Sequence, residues 1–357
     1  MIDRPGLSSR ALQVAAVVFA LVTGVGLPEA QGAGCKLAML SEWPLRIENN
    51  QLLVEGALNG KPARVMLDTG APRTQLNSAT ATRLNAARRD LKRDRMFGAG
   101  GESKVEIALL DEFRVVDFKR APWRMVISGD RNLGADVLLG EDFLSLVDFE
   151  FDLEHNAVRL FQPENCDGRK LAYWASDEQS VGDVPIDPII ASHPQIVLDV
   201  AINGKKISAL LDSGAASSVL DKPAASRLGA TPETPGVTVV GQSSGVGGKI
   251  LPVWSAPFQS FTIGTETAKD VRISFSDLFR DANYSSLGSH IPTKVEGSQQ
   301  MLLGVDFLRS HRVLVSHSQK RMYFTHNGGP VFASSRPVDA KGDPNPGADG
   351  KPPAPAN

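Results

Sequence analysis

The sequence is short of cysteine, of aromatic residues and of any excess of charge. Two cysteines in 357 residues exclude a disulfide-dense scaffold and a four-cysteine zinc or iron–sulfur site. Lys and Arg number 38 against 40 Asp and Glu, a formal net charge of −2. That balance excludes a strongly basic nucleic-acid binder and an acidic-tail protein. The six histidines show no metal-ligand spacing along the chain, so no metal is expected. Aromatic residues are 6% of the chain, beside 33 glycines and 23 prolines, a mixture that points to many turns and many short strands. What remains is ordinary globular composition, 42% hydrophobic and 22% charged, long enough for two domains of about 150 residues.

The two ends stand apart. Arg4 and Arg10 give a basic start, residues 11–27 are almost wholly apolar, and Ala30-Gln31-Gly32 offers a small-x-small cleavage site. Residues 1–34 are therefore read as an export signal. A membrane anchor is the weaker reading, because Gly24, Gly26 and Pro28 interrupt a run already short for a span. Lipidation at Cys35 is also weaker, since Gly32 stands where a lipoprotein signal carries leucine. Export permits a disulfide, and Cys166 is the one available partner for Cys35. Residues 333–357 are Pro, Gly, Asp and Ala without apolar periodicity, and read as a disordered tail.

Between the ends lies a repeat. Residues 54–86 align without a gap on residues 198–230, and thirteen of the 33 positions are identical. Chance would give about two. Asn59-Gly60-Lys61 falls on Asn203-Gly204-Lys205, and Leu67-Asp68-Thr69-Gly70-Ala71 on Leu211-Asp212-Ser213-Gly214-Ala215. A second match, Leu138-Leu139-Gly140-Glu141-Asp142-Phe143-Leu144 on Leu302-Leu303-Gly304-Val305-Asp306-Phe307-Leu308, needs about 20 more residues in the second copy. Polar residues 274–298 are the expected place for them. The division is then a first lobe over 35–162, a linker over 163–182 and a second lobe over 183–332. Strands are predicted at 52–58 and 196–202. Each ends in Asn-Gly, whose two residues both accept positive φ in a tight hairpin. The strands return at 63–67 and 207–211 and deliver the chain to the aspartate. Short helices capped by Asn77 or Asp221 follow. Closing hairpins are expected at 147–151 with 157–161, and at 312–315 with 321–324.

Each copy thus presents an aspartate at the end of a strand, followed by a hydroxyl residue and a glycine that lets the chain turn sharply. The hydroxyl of Thr69 or Ser213 can hold its loop by bonding nearby backbone. Two such loops facing across a pseudo-twofold axis bring two carboxylates together. Carboxylates that close cannot both ionise, so they share a proton and titrate as a pair. The ionised member can take a proton from a water between them, while the protonated member donates to a carbonyl oxygen. That is hydrolysis of an amide without a covalent intermediate.

On Asp68-Thr69-Gly70-Ala71, Asp212-Ser213-Gly214-Ala215 and the two Leu-Leu-Gly-x-Asp-Phe-Leu segments, the chain resembles the retroviral-type, or retropepsin-like, aspartic proteases, in particular their bacterial branch. The resemblance covers roughly 45–162 and 190–326. It implies a mostly β protein of two homologous β-barrel lobes with a cleft between them, and Asp68 and Asp212 as catalytic residues. Thr69, Gly70, Ala71, Ser213, Gly214 and Ala215 would support the dyad. Leu138, Leu139, Gly140, Leu302, Leu303 and Gly304 would pack beneath the catalytic loops. Tandem copies imply a monomer with its active site inside one chain, a polypeptide substrate, and no cofactor. Gly98, Gly100 and Gly101, with Gly245, Gly247 and Gly248, stand where flap tips would fall. The family branch points to a bacterial periplasm or secretion.

Other motifs weigh less. Gly241-Gln242-Ser243-Ser244-Gly245 matches a serine-hydrolase elbow around Ser243, but a helix should follow it and none is expected. Loss of catalysis would leave the same fold as a peptide-binding module. Asp142 and Asp306 are read as helix caps, His311 and His317 as surface residues of a hairpin, and Arg83 and Arg227 as structural links from helix to loop.

Overall fold

The computed structural model describes residues 34–98, 101–128, 134–177, 180–188, 194–244, 250–279 and 299–332. Residues 1–33 and 333–357, the expected signal and tail, lie outside it. The described chain is mostly β, and its strands form three sheets.

The hairpin Gln51–Leu58 and Lys61–Leu67 starts the first lobe, and Val197–Ile202 with Lys205–Leu211 starts the second. Both turn on the Asn-Gly pairs. Asn59 and Gly60 have φ of 48° and 77°, Asn203 and Gly204 of 50° and 73°, the left-handed values that favour this dipeptide. Each asparagine also ties its turn to a neighbouring strand. Asn59 Oδ1 accepts from the Glu112 amide at 3.0 Å, and Asn203 Oδ1 from the Gln259 amide at 2.8 Å.

From there the lobes repeat one topology. In the first lobe Lys61–Leu67 pairs in parallel with Val137–Leu139, which pairs with Gln75–Asn77, and the sheet continues through Trp123–Ser128, Gly101–Leu110 and Ala87–Gly98. In the second lobe Lys205–Leu211 leads through Met301–Leu303, Val219–Asp221, Glu266–Ser276 and Ile250–Ile263 to Thr238–Ser244. Alternate side chains of these strands fill one apolar core. Leu67, Leu76, Val137 and Leu139 in one copy, and Leu211, Leu220, Met301 and Leu303 in the other, are fully buried. Each such side chain contributes about 1.5–3 kcal/mol of burial. Helices Ser78–Arg83 and Lys222–Arg227 follow the short middle strands. Asn77 caps the first, its Oδ1 accepting from the Ala79 amide at 2.9 Å. Asp221 does not cap the second through its side chain. Its Oδ1 accepts instead from the Leu278 amide at 3.0 Å, because that amide leads the polar segment present in this copy alone.

The closing hairpins do not close separate barrels. Asp148–Asp152 pairs antiparallel with His311–Ser316, so that Phe149 faces Val315 and Phe151 faces Val313. Both hairpins join one six-stranded sheet, bounded by Lys36–Pro44 and Gly182–Pro185. Buried ion pairs reinforce it. Glu150 Oε1 accepts from Arg159 Nη1 at 2.9 Å and from Arg312 Nε at 2.8 Å, one arginine from each repeat. Asp148, in the first repeat, accepts from Ser316 Oγ at 2.7 Å and from the Ser318 amide at 2.9 Å in the second. The stretch expected as a linker also packs onto this sheet. Cys166, Leu171, Ala172 and Val181 form a buried cluster with Phe161, Leu314 and Tyr323.

Cys35 and Cys166 are joined by a disulfide across a separation of 131 residues, at the end of the ladder that pairs Lys36 with Glu164. Closing so long a loop constrains the unfolded chain. Replacing both cysteines by serine is expected to lower stability by about 2–5 kcal/mol in urea unfolding. Mass spectrometry that found two free thiols in the native protein would contradict the bridge.

Candidate active site

Asp68 and Asp212 stand at equivalent ends of two strands, where the backbone leaves its ladder. The last bonds of each ladder run from the aspartate amide to the neighbouring strand: Asp68 N–H donates to Leu139 at 3.0 Å, and Asp212 N–H to Leu303 at 2.9 Å. The Leu-Leu segments therefore hold the aspartates as paired parallel strands. Gly140 and Gly304 end these segments. A Cβ on either would lie 2.6 Å or less from the backbone of Arg73 or Ser217, so only glycine lets the segment approach the loop.

The glycines of the Asp-Thr/Ser-Gly loops cross over. A Cβ on Gly70 would lie 2.5 Å from Cγ of Asp212, and one on Gly214 would lie 2.5 Å from Cγ of Asp68. Each loop's glycine thus rests against the other loop's carboxyl group. Each carboxyl group acts on the proton affinity of the other. One oxygen of each is held by backbone donors. Asp68 Oδ1 accepts from the Ala71 amide at 3.0 Å, and Asp212 Oδ1 from the amides of Gly214 at 2.9 Å and Ala215 at 3.1 Å.

Thr69 and Ser213, both fully buried, hold the opposite loop rather than their own. Thr69 Oγ1 donates to the Leu211 carbonyl at 2.7 Å and accepts from the Ser213 amide at 2.9 Å. Ser213 Oγ donates to the Leu67 carbonyl at 2.8 Å and accepts from the Thr69 amide at 3.0 Å. These four bonds lie out of water, where an unpaired partner would cost about 1–3 kcal/mol. They fix the two loops as one unit.

Burial lifts the affinity of both aspartates for a proton above the ordinary carboxylate range, and for Asp68 the charge of Asp212 lifts it further. The arrangement can hold one proton between two carboxyl groups in a rigid, twofold-related frame.

Two family models match the chain. Residues 54–146 match the family described as "gag-polyprotein putative aspartyl protease", and residues 198–307 match the family described as "Aspartyl protease". Both halves of the chain are retropepsin-like aspartyl protease domains. No curated protein matches the chain.

Several supporting residues of these protease domains were not visible as such in the sequence. Asp142 and Asp306 do not cap their helices, whose N-caps are Gly140 and Gly304. Asp142 Oδ1 instead accepts from the amide and hydroxyl of Thr74, each at 2.7 Å. Asp306 Oδ1 accepts from the Ser218 amide at 2.8 Å and hydroxyl at 2.6 Å. Thr74 and Ser218 also accept from the amides of Gly140 and Gly304. Each carboxylate therefore clamps the segment after its Asp-Thr/Ser-Gly loop to the Leu-Leu-Gly strand. The equivalence of Thr74 with Ser218 in the repeat was the available signal.

His311 and His317 are not surface residues; His311 is fully buried. His317 Nε2 lies 3.6 Å from Oε2 of Glu141, a fully buried acid. Among the described residues neither side chain has a hydrogen-bonding partner. Burial raises the proton affinity of Glu141 well above normal, helped by the charge of Asp68, and lowers the His317 pKa to about 4. His317 is then neutral near pH 7. The second copy has Val305 at this position, so Glu141 breaks the symmetry beside Asp68.

Arg83 does link its helix to a loop, with Nη2 2.6 Å from Asp136 Oδ1. Arg227 is exposed on the equivalent helix, and its carbonyl accepts from Lys205 Nζ. Ser243 lies in the strand Thr238–Ser244, opposite Leu251, and the next described element is the strand Ile250–Ile263 rather than a helix. Among the described residues the strand–turn–helix frame of a serine nucleophile is absent. Gly98 pairs with Gly101 at the tip of the hairpin Ala87–Gly98 and Gly101–Leu110. Gly100, Gly245, Gly247 and Gly248 lie outside the described residues.

Proposed function

We propose that the chain is an exported aspartic endopeptidase in which Asp68 and Asp212 act as one dyad on an extended polypeptide. The observation that carries the reading is the reciprocal fit of each loop's glycine against the other's carboxyl group, locked by the Thr69 and Ser213 bonds. The ionised aspartate takes a proton from a water held between the pair. That water's oxygen adds to the peptide carbonyl carbon, and the protonated aspartate donates to the carbonyl oxygen. Collapse of the resulting gem-diol breaks the C–N bond: the aspartate that took the water's proton gives it to the leaving amine, and a gem-diol hydroxyl returns a proton to the other aspartate. One chain supplies both carboxyl groups, so a monomer suffices. Strand-like backbone pairing would hold the substrate. The signal-like residues 1–34 and the disulfide both fit an oxidising compartment outside the cytoplasm.

The test is cleavage of a peptide library with and without a statine-type inhibitor, across about pH 3 to 9. Activity needs the singly protonated pair. A bell-shaped profile is expected, with its optimum on the acid side and its alkaline limb above the ordinary carboxylate range, because burial raises both pKa values. A rate that keeps climbing into alkali, or cleavage indifferent to the inhibitor, counts against the dyad. Peptide binding without cleavage at any pH would leave a binding module on the same fold.

A further inference from the structure

A second group of potential ligands lies on the second lobe and in the six-stranded sheet. His311 and His326 face each other directly across the antiparallel ladder of His311–Ser316 and Arg321–His326. Directly opposed residues project from the same face of a sheet with their Cβ atoms about 5 Å apart. Their ring centroids are 5.1 Å apart. Glu266, at the first position of the strand Glu266–Ser276, completes the group, with Oε1 3.0 Å from His311 Nε2. One donor atom from each of the three lies within 4.8 Å of the others.

The rings are oriented from behind. His311 stacks on Phe307, with centroids 4.1 Å apart. Its Nδ1 lies 2.9 Å from the Phe307 carbonyl oxygen and 2.9 Å from Ser310 Oγ. A bond from Nδ1–H to a backbone carbonyl aims Nε2 at Glu266 Oε1, the second-layer arrangement that orients metal-ligating histidines, and an ion entering between the two displaces the proton they share. His326 is exposed and can swing on its side-chain torsions. Its Nε2 lies 3.1 Å from the Gly329 carbonyl oxygen. Glu266 and His326 also line a surface cavity of about 580 Å³, shared with Lys269, Arg272 and Phe332. Arg272 turns away from the group, its Nη2 donating to the Ser255 carbonyl at 3.0 Å.

We propose that Glu266, His311 and His326 bind one divalent transition-metal ion of the zinc, nickel and copper class. Two imidazole nitrogens and one carboxylate suit a borderline ion rather than calcium or magnesium, which take all-oxygen shells. Ligands about 2.0–2.2 Å from a tetrahedral zinc sit about 3.3 Å from one another. The 3.0 Å between His311 and Glu266 is already close to that, and rotation of His326 brings in the third donor. The cavity leaves the fourth position to water. A bound ion ties the end of the six-stranded sheet to the second-lobe sheet. The chain-order expectation of no metal missed the group because its members are brought together by strand register, not by local spacing.

The experiment uses the full, tag-free chain, stripped with a chelator and titrated with zinc chloride alone, then with nickel chloride. Isothermal titration should show one tight site per chain, and zinc should raise the thermal midpoint. His326→Ala and Glu266→Gln, both outside the core, should each weaken zinc binding at least about tenfold and abolish the midpoint shift. Circular dichroism of the apo variants should match the stripped wild type. A folded wild type that takes up no zinc overturns the proposal. So does zinc binding that is unchanged in either variant.

Discussion

Asp68→Asn and Asp212→Asn should each lower kcat/KM by at least about a thousandfold on any peptide the wild type cuts. The double variant should be no worse than either single one, because the two carboxyl groups work as a unit and the first substitution already removes the shared proton. The same variants should change stability in a definite direction. Burial raises the proton affinity of both aspartates in the folded chain, and the charge of Asp212 raises that of Asp68 further. A carboxyl group whose folded pKa is raised stabilises the fold fully below its unfolded pKa, about 3.9 for aspartate. That contribution is lost as pH rises from there through the folded value. An asparagine has no such loss. Each variant should therefore be more stable than wild type at pH 8 and lose the advantage below about pH 4. Asp136 and Asp152 act in the opposite sense, their pKa values lowered by hydrogen bonds that include Arg64 N–H, Thr80 and Arg83 for Asp136, and Arg159 and His155 for Asp152. They are common to all three proteins and cancel in the difference. Urea unfolding at the two pH values provides the comparison. Stability differences independent of pH would mean that the carboxyl groups are neither buried nor coupled, and an active Asn variant would mean that the aspartates do not share the chemistry.

The repeat carried most of what the sequence revealed. Thirteen shared positions placed the opening hairpins and the Asp-Thr/Ser-Gly loops, and the second match placed the Leu-Leu-Gly strands, all to within a few residues, because each is fixed by local chemistry: Asn-Gly at a positive-φ turn, an apolar run, a glycine where backbones touch. What the repeat could not convey was how the copies meet. Thr69 and Ser213 were read as holding their own loops, yet each bonds across to the other copy. The closing hairpins form where they were expected, but the ladder they share from Phe149 to Val315 was not foreseen. Both gaps have one origin. A pattern along one copy reports what that copy buries, and says nothing of a partner surface 144 residues away. The same limit explains His311, read as a surface residue of a hairpin, which the fold buries against Phe307 and Glu266. Asp142 and Asp306 looked like caps because they follow a glycine at a helix start. Their carboxylates are captured by Thr74 and Ser218, which only the folded loop brings within reach.

Gly70→Ala and Gly214→Ala should damage the site nearly as severely, through packing rather than charge. The added methyl of Gly70→Ala would lie 2.5 Å from Cγ and Oδ1 of Asp212 and 2.7 Å from Oδ2; that of Gly214→Ala would lie 2.5 Å from Cγ and Oδ1 of Asp68. Neither carboxyl group is free to move aside, since each is held by backbone amides of its own loop. The loops must separate, and the Thr69 and Ser213 bonds resist that. A displacement of about 1 Å at reacting groups costs about a hundredfold in rate, and overpacking costs about 1–3 kcal/mol of stability. Gly60→Ala and Gly204→Ala are the controls. Both positions have positive φ but open space where a Cβ would go, so they should lose about 1 kcal/mol of stability and keep full kcat/KM. The contrast separates backbone strain from crowding of the carboxyl groups. If Gly70→Ala retained wild-type kcat/KM, the first loop could not be resting on Asp212. The two aspartates would then have to act in separate sites, or not at all.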